Sequence, residues 1–361
     1  MGARGARNWR PITLAGALIV TFVILLVIGM RDPDATEPQP VAAATPGDWM
    51  RKITPGERPP QFVLFSYDGA GSHEQWQRLL DLAAKSDARF TAFLSGVYLL
   101  ADDQRKQYTA PGHPQGQSSI SFGGSLDQVR TRINDLNTAM QRGIEIGTHY
   151  NGHYCSPKWT TQQWQTELHQ FVQFVGQAGV QGLKLDPAAI KGSRLPCLEG
   201  KFDAVFDAMR SRGLTYDSSQ VSDGVLWPVK EKDIWEFAMP MVRMPAAGNK
   251  KVTMVDYQLW EALNRSKDDK SKRDEFARAT LEVYRAAHDA TMRGNRAPLP
   301  IGNHFTDWAG GGFGAAAEQF MAEVCTKPET VCTTFSEVIK WMELQDPAVL
   351  DQLRRLPAAQ T

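Results

Sequence analysis

At 361 residues the chain can bury a large core, and 42% hydrophobic with 22% charged residues is the balance of an ordinary folded protein. Lys+Arg and Asp+Glu both number 40, so the formal net charge is zero. That balance argues against nucleic acid or another acidic polymer as the partner.

The chain opens on an uncharged apolar run, Ile12 to Met30, long enough to cross a bilayer as a helix. Arg4, Arg7 and Arg10 precede it, while Arg31, Asp32 and Asp34 follow. The positive-inside rule then puts residues 1–11 in the cytoplasm and everything after the run outside. A cleaved signal peptide is the competing reading, but the only small-residue site, Ala42-Ala43-Ala44, lies well beyond the run. Residues 31–58 are rich in proline (Pro33, Pro38, Pro40, Pro46, Pro55) and poor in large apolar side chains, so a stiff extended linker is expected. The folded domain should span 59–345, with 346–361 as a C-terminal tail.

From residue 61 strands and helices alternate. Gln61–Tyr67 reads as a buried strand, and Trp76, Leu79, Leu80 and Ala83 then recur at helical spacing. A strand over 89–94 and a helix over 126–140 bracket a long Gly-, Ser- and Pro-containing segment, 101–124, expected to loop over one face. Strand 144–148 follows, then helix 160–177, a strand near 188–191 and helix 201–211. Strands are expected near 214–217, 225–229, 234–237 and 252–255. Helix 270–293, strand 298–303, helix 314–324, strand 331–334 and helix 335–344 complete the pattern. Alternation on this scale predicts a mainly parallel α/β sheet, and the length favours a barrel.

The four cysteines allow three pairings. In an oxidising compartment Cys155–Cys197 and Cys325–Cys332 are expected, the second pair brought together by the bend at Pro328.

In parallel α/β folds polar chemistry collects at the C-terminal ends of the strands. Those ends carry Asp68, His149 with His153, Arg194, Asp217 and His304. One Asp and two His make a three-ligand set for zinc or another first-row divalent ion. The same set would also suit non-haem iron, which metal analysis would distinguish.

With these residues in place the chain resembles the NodB-homology polysaccharide deacetylases, carbohydrate esterase family 4, over about residues 59–345. The first family motif, T-F-D-D-G, is matched in its last four positions by Ser66-Tyr67-Asp68-Gly69, and the second, H-S/T-x-x-H, by His149-Tyr150-Asn151-Gly152-His153. Arg194-Leu195-Pro196 matches R-x-P, and a strand ends in His304. Thr215-Tyr216-Asp217, Leu226-Trp227-Pro228 and Ile234-Trp235-Glu236 are similar to the chitin deacetylase-like branch. The resemblance implies a distorted (β/α) barrel and removal of N-acetyl groups from chitin-like or peptidoglycan sugars. It implies a divalent metal, Zn2+ first and Co2+ or Ni2+ next, on Asp68, His149 and His153. His304 would be the general acid with Asp217 near it, and Arg194 would orient the base.

In that register Tyr67 stands where the family has its catalytic base. Tyrosine, with a reference pKa of about 10, is a poor proton acceptor at neutral pH. The expectation is therefore a membrane-anchored, extracytoplasmic, metal-dependent deacetylase of envelope glycans with an impaired site. The alternative is a carbohydrate-binding protein on the same barrel. Trp159, Trp164, Trp227, Trp235 and Trp308 are candidates for stacking on sugars.

Overall fold

The computed structural model describes residues 49–361 apart from residue 55. In chain order its strands are β1 (Gln61–Gly69), β2 (Thr91–Leu94), β3 (Glu145–Thr148), β4 (Gly192–Ser193), β5 (Tyr216–Asp217) and β6 (Val221–Asp223). They continue as β7 (Val229–Glu231), β8 (Ile234–Glu236), β9 (Met239–Met244), β10 (Lys250–Thr253), β11 (Leu299–His304) and β12 (Thr330–Cys332). Among the described residues the main sheet has the order β11-β1-β2-β3-β4-β5-β8-β7, with β12 also paired to β1. All pairs are parallel except β7 with β8. The sheet is curled into a half-barrel, and the hydrogen-bonded path does not return from β7 to β11. The expected barrel is thus an open one. A three-stranded sheet, β10-β9-β6, stands apart, and Val255 bridges from it to Gly302 of β11.

Local signals explain most elements. β1 is buried over nearly its whole length, as a parallel strand flanked on both edges must be. Helix His73–Ser86 buries Trp76, Leu79, Leu80 and Ala83, and Ser72 caps it by accepting from the Gln75 N–H. Capping boxes start helices Leu126–Gln141 (Ser125/Gln128) and Thr161–Val180 (Thr160/Gln163). Gly192 is required by close approach: a Cβ there would lie 1.8 Å from Tyr216 Cζ, whose ring covers β4.

Several expectations shift. The segment near 188–191 is a short 3-10 turn, Pro187–Ala189, and the strand comes after it at 192–193. β9 and the helices Asp256–Asn264 and Pro347–Arg354 are additional. The tail is packed against the domain: Val225 and Ala359 exchange backbone hydrogen bonds at 3.0 Å, and the Arg243 N–H donates to Thr361 Oγ at 2.8 Å. Residues ahead of 59 are packed too, since the Ile53 N–H donates to Gln345 Oε1 at 2.9 Å and Trp49 lies edge-on to Phe62. The compact domain therefore extends past both expected boundaries. The apolar run 12–30 lies outside the described residues; within them no helix is long and apolar enough to cross a membrane.

The register brings the strand ends to one rim. Asp68 pairs with His304 across β1–β11 and with Phe93 across β1–β2; Thr148 pairs with Ser193, and Ser193 with Asp217.

Candidate active site

His149 follows β3 directly. Its Nδ1 lies 2.8 Å from the Arg194 carbonyl oxygen, so Nδ1 carries the proton and donates it there. Nε2 is left buried with no hydrogen-bond partner. Burial pushes this imidazole down to about 3, so it is neutral at physiological pH. His153 closes the same turn, its ring centroid 4.9 Å from that of His149, and burial, then His304, lower its pKa as well. The turn is strained: Tyr150 and His153 have φ of 58° and 56°, and Ala70, Cys197 and Leu198 in neighbouring loops also have positive φ.

Two features brace it. Cys155–Cys197 ties it to the loop after Arg194, with Cα atoms 5.4 Å apart, and Cys325–Cys332 forms the other expected disulfide. The long 101–124 segment clamps it from above. The Tyr108 hydroxyl donates to Glu167 Oε1 at 2.8 Å and accepts from the Gly152 N–H at 3.1 Å, while the Ser119 N–H donates to the Gly152 carbonyl at 2.8 Å.

The pleat of β1 corrects the reading of Tyr67. Successive side chains on a strand face opposite ways, and Tyr67 faces the core, edge-on to Phe90 and Phe305 and 2% exposed. It does not line the cavity at the strand ends. Burial drives its hydroxyl far above its ordinary value, so it is no proton acceptor. Ser66 and Asp68 point the other way, to the fully buried Arg194. Its Nη1 lies 3.4 and 3.3 Å from the two Asp68 oxygens, and Nη2 donates to Ser66 Oγ at 3.1 Å and Ser218 Oγ at 3.0 Å. Burial raises the Asp68 carboxyl, but Arg194 and then His149, His304 and His153 more than offset this and hold it below the usual 3.8.

Asp217 is also elsewhere than expected. It accepts from Ser193 Oγ and sits across β5–β8 from Glu236, with burial pushing both carboxyls up. The carboxylate beside His304 is Asp256, in the first turn of helix Asp256–Asn264. Asp256 Oδ1 lies 2.6 Å from His304 Nδ1, and Oδ2 accepts from the His304 N–H at 2.8 Å. Burial lowers the His304 pKa, but the charge and hydrogen bond of Asp256, with Asp68 behind them, outweigh it and leave it raised. Asp256 directly follows the expected strand 252–255, but nothing in the sequence around it points to His304.

A consequence can be measured. Asp256→Asn removes what raises His304, so the imidazolium should lose its proton at lower pH, by about 1–3 pH units. Titration of the His304 ring by NMR checks this, and an unchanged midpoint would rule out the pair.

Asp68, His149, His153 and His304 line one cavity of about 610 Å³, with Ser95, Tyr98, Glu199, Tyr257 and Trp308 among its walls. Of the five tryptophans considered for sugar stacking, only Trp308 is there, packed on Trp260 and beside His304. Trp164, Trp227 and Trp235 are core residues, and Trp159 packs on Trp164. Tyr98 and Tyr257 were missed because neither belongs to a family motif.

A three-ligand metal site does not fit the residues as they stand. His149 has the free buried Nε2 of a ligand, but Asp68 is turned to Arg194. Among the described residues no three His, Cys, Asp or Glu side chains are grouped to hold a metal ion.

No family model matches the sequence, and no curated protein matches it. Among solved structures it is similar to a protein assigned as a polysaccharide deacetylase from Mycobacterium smegmatis, with TM-score 0.51 and 14% identity over 86% of this chain and 96% of that one. A protein assigned the same way from Pseudomonas aeruginosa gives TM-score 0.49 and 11% identity, covering 79% and 92%. A mutant pseudoenzyme of carbohydrate esterase family 4 with restored activity gives 0.43 and 11%, covering 80% and 70%. The chain has the fold of the NodB-type polysaccharide deacetylases, and at these identities the likeness speaks for the fold.

Proposed function

We propose that this chain is a hydrolase removing N-acetyl groups from a cell-envelope glycan of peptidoglycan or chitin type, with Asp68 as general base and His304 as general acid. The observation that carries this is the pair of opposed groups in one cavity: a carboxylate kept ionised by Arg194 and an imidazole kept protonated by Asp256. Asp68 takes a proton from a water molecule as the water oxygen bonds to the amide carbonyl carbon. The C–N bond then breaks as His304 gives its proton to the departing amine, leaving acetate and a free amino sugar. Tyr257 and Trp308 offer aromatic faces for the sugar rings.

A glycan-binding protein without turnover is the second reading, favoured by the lack of a three-ligand metal group among the described residues. Acetate release from N-acetylglucosamine oligomers and from peptidoglycan, beside a glycan pull-down, separates the two. Release lost in His304→Ala supports the hydrolase; retention on glycan with no acetate released supports the binder.

The run 12–30 supports an uncleaved anchor with the domain outside the cytoplasm, and both disulfides suit such a compartment. A C-terminal reporter that works only outside the cytoplasm should be active and remain with membranes. Recovery of a soluble form starting near Thr45 would refute the anchor.

A further inference from the structure

Ligands to a divalent metal must converge, and each must have lone pairs to spare. Asp68 fails the second condition in part, because both its oxygens face the Arg194 guanidinium. In the motif the chain resembles, the arginine orients the first of two consecutive acids, and the second binds the metal. Asp68, by its contact with Arg194, occupies the first place, and Gly69 therefore occupies the second. Tyr67 then matches the motif's phenylalanine, as its packing against Phe90 and Phe305 requires.

Gly69 lines the same cavity as His149 and His153, with φ 98°. A Cβ built on it would meet Tyr98 Cε2 at 3.5 Å and the Tyr98 hydroxyl at 4.0 Å. A Cβ on Gly71 would collide with the same ring at 2.8 Å. A phenol ring thus lies beside this turn, in ordinary van der Waals reach of a side chain at residue 69.

We propose that the metal carboxylate is missing at residue 69 and that divalent cations are held by His149 and His153 alone. This rests on the reading of Asp68 as the base. Its test measures metal binding and needs no turnover, so a failure to release acetate would refute the reaction and leave this inference standing.

The test is titration of the metal-free full chain with Zn2+ against a chromophoric chelator. Asp68→Asn should leave the wild-type Zn2+ affinity in the same decade, and His149→Ala should abolish binding. Gly69→Asp should tighten binding by about 100-fold, the upper range for groups that organise a metal site. Gly69→Asn, which carries the same backbone strain without the charge, should not. Loss of Zn2+ binding in Asp68→Asn would make Asp68 a ligand and overturn the proposal. A folded Gly69→Asp that binds no more tightly would overturn it too. If the positive φ prevents Gly69→Asp from folding, the Asp68→Asn arm decides alone.

Discussion

Asp68→Asn should lower deacetylation by about 10²–10⁴-fold, the usual cost of removing a general base. The amide keeps the shape and still accepts from Arg194, so the loss should appear mainly in kcat, with KM for an N-acetylglucosamine oligomer little changed. The pH profile carries the sign. A carboxyl held below 3.8 stays ionised through the neutral range, so the wild-type acid limb should fall below that value. Raised above its ordinary 6.5, His304 should put the alkaline limb above that value. The linked stability follows the same direction: the Asp68 contribution is present above the unfolded carboxyl pKa and is lost as pH falls through the lower folded value. Unchanged turnover in Asp68→Asn would remove Asp68 from the mechanism.

The second large effect is on folding. Were Tyr67 the residue in the base's place, Tyr67→Asp would restore a catalytic carboxylate and raise turnover. The structure gives the opposite expectation. An aspartate there would leave a hole between Phe90 and Phe305 and bury a carboxyl with no cation beside it. Truncating a buried aromatic costs about 3–5 kcal/mol, and an unpaired buried acid adds to that. Urea unfolding should show a loss of unfolding free energy of that size, with a lower midpoint. Tyr67→Phe, which removes a hydroxyl that has no hydrogen-bond partner, should be neutral or slightly stabilising. A Tyr67→Asp variant that unfolds like wild type and turns over faster would overturn this account of β1.

Much of the rim was legible in the sequence because it depends on local features. An apolar run followed by a polar residue marks a parallel strand end, and that rule picks Asp68, His149, Arg194 and His304. Cys325–Cys332 followed from its spacing and the compartment, and Cys155–Cys197 from the compartment and the neighbouring loops that carry it. What could not be read was the phase of a motif. Ser66-Tyr67-Asp68-Gly69 can be laid on two consecutive acids in either of two ways, and only the pleat decides which side chain meets Arg194, 126 residues away. Asp256 was overlooked for a related reason. Its strand, β10, pairs antiparallel in the small sheet, so nothing local shows that its end reaches His304, 48 residues on. β9 carries Pro240 and the exposed Arg243 among its buried positions, a weaker pattern than the almost wholly buried β1.

The place of β1 also sets an order of events during synthesis. One edge of it pairs with β2, which follows soon in the chain, but the other pairs with β11, and Ser66 reaches Ile301 across a separation of 235 residues. Until those residues have been made, a strand that carries the apolar run Phe62–Phe65 has one edge open, the arrangement most prone to pairing with another chain. The strand that presents Asp68 to the cavity is thus among the first made and among the last completed. A chain interrupted before β11 would carry Asp68, both loop histidines and Arg194, and still have no closed site.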